Sequence, residues 1–125
     1  MSKELQKVIS IIPADTADAT YTTEVIDIRG VKKVTIFGTN GADHANTFGV
    51  TVSADGTNFI TYNKLVNNLT NANTEFLTRT ATFAPTAATT DFASMDLEHE
   101  SYVSMKVVAT QVADGTYSAY IVLQY

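Results

Sequence analysis

Two copies of one turn, Ser53-Ala54-Asp55-Gly56-Thr57 and Val112-Ala113-Asp114-Gly115-Thr116, each stand between runs in which apolar and polar residues alternate. A period of two marks a half-buried strand, and Asp-Gly between two such runs is the strongest short-range signal for a β-hairpin. The flanks choose the loop length. A two-residue Asp-Gly loop sets Val107 opposite Val122, Met105 opposite Gln124, Val50 opposite Thr61 and Phe48 opposite Asn63. A three-residue Ala-Asp-Gly loop sets Val107 opposite Ile121, Met105 opposite Leu123, Val103 opposite Tyr125, Val50 opposite Ile60 and Phe48 opposite Tyr62. A slip of one residue sends every side chain to the other face, so apolar pairing selects the longer loop in both places. Ala54, Asp55 and Gly56, and Ala113, Asp114 and Gly115, are the expected turn-defining residues.

The rest of the chain follows the same rhythm. Residues 4–12 alternate loosely until Pro13, so residues 1–15 are expected to be an edge strand or an arm that pairs with a neighbouring subunit. Residues 16–125 are long enough to bury one core without staples. Strands are expected over 19–28, 33–38, 47–53, 57–63, 75–83 and 91–97, followed by the two strands of the last hairpin. Asn67, Asn68, Asn71 and Asn73 mark a loop between them, since asparagine tolerates left-handed backbone and bonds its own main chain. Eight or nine short strands, turn signals at short intervals and no 3.6-residue period predict an all-β, antiparallel β-sandwich. Neither cysteine nor tryptophan is present, so the immunoglobulin hallmarks are missing and a jelly-roll-like arrangement is preferred.

Chemistry is thinly represented. Without cysteine there is no disulfide, thiolate metal site or thiol nucleophile. His44 and His99 adjoin no nucleophile motif, so no catalytic residue is expected and the chain is read as a non-enzyme. Glu98, His99 and Glu100 are adjacent, but neighbours in a strand face opposite ways, and no metal or cofactor site is assigned. Arg29, Lys32 and Lys33 around Gly30 read as a solvated turn rather than a phosphate site. A net charge of −5 argues against a nucleic-acid binder that works by counterion release. No signal-peptide core and no membrane-length apolar run is present, so a soluble protein made in a cytoplasm is expected, with no membrane partner.

The last hairpin carries the most informative pattern. Its expected core face is Val103, Met105, Val107, Ala109, Ala119, Ile121, Leu123 and Tyr125. Its other face holds Tyr102, Val108, Tyr120 and Val122 among serines and threonines, with charge nearly absent. A monomer keeps such a face polar, so these four residues, with Val8 and Ile11 of the N-terminal segment, are the expected interface. The N-terminal segment folding back over that face would explain it equally well.

Residues 53–59, Ser-Ala-Asp-Gly-Thr-Asn-Phe, are similar to the Ser-x-Asp-Gly-x-x-aromatic hairpin of discoidin-like domains and other β-sandwich binding modules. That resemblance implies a carbohydrate- or surface-binding module, with Tyr21, Tyr62, Tyr117 and Tyr120 as available platforms. In overall texture (no cysteine, rich in Thr, Ala and Asn, a loose N-terminal segment) the chain resembles virion structural proteins of tailed phages and related viruses. This second resemblance implies a capsid-decorating or minor capsid protein. Such a protein docks on the major capsid protein or another virion component as a homo-oligomer, a trimer being favoured, and is located in the virion.

Overall fold

A computed structural model describes residues 6–15, 20–41, 46–67, 79–86, 88–110 and 117–125; within residues 6–15 only the Val8 side chain is described. These residues form two antiparallel sheets packed face to face, the expected β-sandwich. The first sheet runs in the order β1 (Gln6–Asp15), β12 (Tyr117–Gln124), β4 (Lys33–Asn40), β10 (Thr90–Asp96), β7 (Leu65–Asn67) and β8 (Arg79–Thr80). The second is built on β11 (Ser104–Thr110) and β5 (Thr47–Ser53). Beside β11 lie β2 (Tyr21–Thr22) and β3 (Ile26–Asp27); beside β5 lie β6 (Ile60–Thr61) and β9 (Thr82–Phe83). The long strands alternate between sheets along the chain: β4 and β5, then β10, β11 and β12, each lie opposite their predecessor. The expected strands over 19–28 and 75–83 are each broken in two, which raises the number of segments above the eight or nine expected.

The inward residues of both sheets meet in one core. Val34 and Ile36, Ala93 and Met95, and Ala119, Ile121 and Leu123 face Val50 and Val52, and Met105, Val107 and Ala109, all essentially without solvent contact. At one end the sheets approach until the Phe48 ring lies on Gly38, where a β-carbon would come within 2.7 Å of it. Phe48 also stacks on Phe83 at 5.6 Å and meets the edge of Tyr117 at 6.4 Å. Phe48 can sit there because position 38 carries no side chain.

The last hairpin does not form. β11 pairs with β5 over seven residues, setting Val107 opposite Val50, and β12 pairs with β4 over eight, setting Ile121 opposite Ile36. The chain therefore passes from one sheet to the other between Thr110 and Tyr117; Ala113, Asp114 and Gly115 lie outside the described residues. Val107 and Ile121 still both point inward, because strands in facing sheets turn the same faces to the core as two strands of one ribbon do. The partners differ; the facing does not.

The first hairpin forms with a longer loop. Val52 stands opposite Ile60 and Thr51 opposite Thr61, and the Tyr62 amide donates to the Val50 carbonyl, two residues along from the expected register. A shift of two preserves facing, so Val50, Val52 and Tyr62 remain buried. Phe48 is left to pair with Phe83 instead. The extra length comes from Asp55. Its Oδ1 accepts the amides of Thr57 and Asn58, both at 2.8 Å, and the Ser53 hydroxyl at 2.8 Å; Oδ2 accepts Asn58 Nδ2 at 2.7 Å. Ser53 Oγ in turn accepts the amides of Asp55 and Gly56. Gly56 has φ +81°, where a residue without a β-carbon is at ease. The carboxylate thus replaces the tight turn with a wider, side-chain-closed one.

Thr23 explains the break between β2 and β3. Its hydroxyl accepts the buried Val107 amide at 3.0 Å and donates to the Glu24 carbonyl, standing in for a ladder bond that the interrupted strand cannot make. Gly30, at φ +78°, closes the next turn, where Arg29 clasps Asp27 through both guanidinium contacts (2.8 and 3.0 Å). That pairing holds the Asp27 carboxyl down at about 2 and neutralises one charge of the basic cluster locally.

Three outcomes follow from these contacts. Gly38→Ala drives a methyl into the Phe48 ring and lowers stability by about 1–3 kcal/mol in urea titration. Thr23→Val keeps the shape but strands the Val107 amide, at a cost of about 1–3 kcal/mol by the same measurement. The amides of Asn58 and Thr57, then the Asn58 and Ser53 side chains, hold the Asp55 carboxyl well below the usual carboxylate range. Its folded value is depressed, so its contribution is complete above the ordinary 3.8 and lost as pH falls through the folded value. Asp55→Asn therefore has a lower urea midpoint than the parent at neutral pH, and the gap closes as the medium is acidified below 3.8.

Candidate functional site

β12 sits between β1 and β4, so its outward residues join those of its neighbours rather than those of β11. In register across the sheet, Tyr120 lies beside Phe37 and Phe37 beside Phe92. The Tyr120 and Phe37 rings stack nearly parallel at 4.7 Å, and Phe37 and Phe92 are 5.5 Å apart. The next row runs Val8, Val122, Thr35, Ser94 and Val66. On the other side of the aromatic row, Thr39 and Thr90 join hydroxyls at 2.7 Å. Charge enters at the margins, with Lys33 and Asp96 at one end and Arg79 on β8. Tyr120 is 39% exposed and Val8 66%.

The expected interface residues are therefore divided. Val8, Tyr120 and Val122 share the outer face of the first sheet, and Ile11 falls in the β1 bulge between the Ser10–Tyr120 and Ile12–Ala119 pairs, its side chain outside those described. Val108 points out of the opposite sheet, over a hollow of about 210 Å³ rimmed by Thr51, Thr61, Thr82 and Thr110. Tyr102 precedes β11 and meets the buried Tyr62 edge to face at 6.2 Å; burial and then the Glu100 carboxylate push the Tyr62 phenol up. The patch expected on one ribbon is split because β11 and β12 lie in different sheets. β1 pairs edge to edge with β12 and extends the face rather than covering it.

Phe37, Phe92 and Val66 belong to this face and were not singled out from the sequence. The alternation Lys33, Thr35, Phe37, Thr39 is the signal that could have found them. Of the tyrosines considered as platforms, Tyr62 and Tyr117 are buried in the core. His44 lies outside the described residues, and His99 is exposed in the turn after β10. Among the described residues no three His, Cys, Asp or Glu side chains are placed to hold a metal ion. No helix among them is long and apolar enough to cross a membrane.

A second feature lies at the rim of the other sheet. Between the closed turn after β5 and Tyr102 is a hollow of about 290 Å³, lined by Val52, Ala54, Asp55, Asn58, Ile60 and Tyr102. The far end of the same loop is pinned by Lys106, whose Nζ lies 4.4 Å from the centre of the Phe59 ring.

By sequence, no protein family and no curated protein matches the chain. By structure, it is similar to the SPBc2 prophage-derived protein YomS, with a TM-score of 0.70 and 8% identity over 96% of this chain and 93% of YomS. It is also similar to the PBSX exported protein XepA, with a TM-score of 0.68 and 9% identity over 96% of this chain; the match spans 38% of XepA. The carbohydrate-binding module TmCBM61, solved with β-1,4-galactotriose, aligns at a TM-score of 0.49 and 12% identity over 98% of this chain and 83% of the module, too remote to bear on ligand. At these identities the similarity establishes the β-sandwich that the chain shares with YomS and XepA.

Proposed function

We propose that this chain is a non-enzymatic structural protein of a phage or prophage particle. It docks on a capsid lattice as a decoration or minor capsid protein, and assembles as a symmetric homo-oligomer, a trimer being the favoured state. Its partners are further copies of itself and a major capsid protein or other virion component. The observation that supports this reading is the outer face of the first sheet. Three aromatic rings in a row, flanked by Val8, Val122 and Val66 and by uncharged hydroxyls, form the kind of surface that association removes from water. The prophage-derived protein YomS, which shares the fold along nearly its whole length, supports the setting. Assembly would bury the aromatic row against a partner and leave charge on the rim, which aligns subunits without contributing much affinity.

The test is mass in solution. The parent chain sediments as an oligomer whose proportion rises with concentration, while Tyr120→Lys and Val122→Lys each sediment as folded monomers. A parent that stays monomeric at every concentration, or variants whose mass is unchanged, would overturn the reading.

A further inference from the structure

The hollow between the closed turn and Tyr102 has a composition that suits a different kind of ligand from a protein surface. Part of its lining is apolar: Ile60, 61% exposed, and Tyr102, whose ring is held edge to face against Tyr62. Asp55 and Asn58 make up the polar part of the lining. Asp55 is anchored through Oδ1 by three hydrogen bonds, whereas among the described residues Oδ2 accepts one, from Asn58 Nδ2. A carboxylate oxygen has room for a second donor, so this oxygen retains acceptor capacity on a group already fixed in place. A ligand that uses it meets little further ordering cost.

A pyranose has this complementary character, with a C–H face that packs on an aromatic or aliphatic wall and hydroxyls that donate to a fixed carboxylate and amide. The geometry points to a glycan-binding site in this hollow, with Tyr102 and Ile60 as the apolar platform and Asp55 and Asn58 as the hydroxyl partners. An anionic sugar is disfavoured by Asp55 itself and by the chain's net charge of −5. The site belongs to the second sheet and its loop, so it is independent of the assembly face.

Amide spectra of the ¹⁵N-labelled full chain, titrated with D-galactose, D-glucose and N-acetyl-D-glucosamine, test this. At least one sugar shifts the amides of residues 54–60 and of Tyr102. Ile60→Glu, at an exposed position, and Tyr102→Ser each weaken that binding about tenfold or more, while Tyr120→Lys leaves it unchanged. The proposal is overturned if no sugar moves these amides, if the shifts fall elsewhere, or if Ile60→Glu binds as the parent does. Calcium chloride moving the same amides while the sugars do not would assign the hollow to a cation and overturn it too.

Discussion

The closeness of the two sheets governs the rest of this molecule. Where Phe48 lies on the bare α-carbon of Gly38, the sheets are near enough for Phe83 and Tyr117 to close around the same ring. From that end the inward residues of β4, β10 and β12 share one core with those of β5 and β11. Interiors are packed like organic crystals, so a spacing set at one point is transmitted along the whole interface. The alternation of successive strands between sheets is the topological counterpart: each crossing adds an inward face to the same core.

Backbone economy explains the irregular pieces. A sheet edge or a broken strand leaves buried amides that must find a partner elsewhere. Thr23 supplies one with its hydroxyl, and Asp55 and Ser53 satisfy four amides in the turn after β5. Asn40 does the same at the opposite end, donating from its buried amide to the carbonyls of Asn46 and Pro85. These short polar side chains give backbone groups at strand ends and turns the partners that the sheets do not supply. They also hold rigid the loop that carries the hollow.

The two outer faces have different chemistry. The first sheet offers rings and branched aliphatics, with charge displaced to its margins. The second offers threonines around Val108, and the hollow beside the β5 turn lies at its rim. A flat aromatic row suits a broad partner, whereas a concave rim with a fixed carboxylate suits a small polar one. The assembly face and the binding hollow proposed above would then use different parts of one fold.

Which residues face inward was legible from the sequence alone, because a strand's period of two needs no knowledge of its neighbour. Met105, Val107, Ala109, Ala119, Ile121 and Leu123 are buried as the alternation requires. Which strand lies beside which was decided by tertiary structure. Two strands in one sheet and two in facing sheets satisfy the same inward pattern, so Asp-Gly next to alternating runs could not tell β11 pairing with β12 from β11 pairing with β5. The register of the first hairpin depended on the Asp55 carboxylate reaching Asn58, a contact that lengthens the loop without altering which residues point inward. The outward patch moved for the same reason. Tyr120 and Val122 kept their facing but acquired Phe37, Phe92 and Val8 as neighbours in place of Val108, since facing is a property of one strand and neighbourhood a property of the sheet.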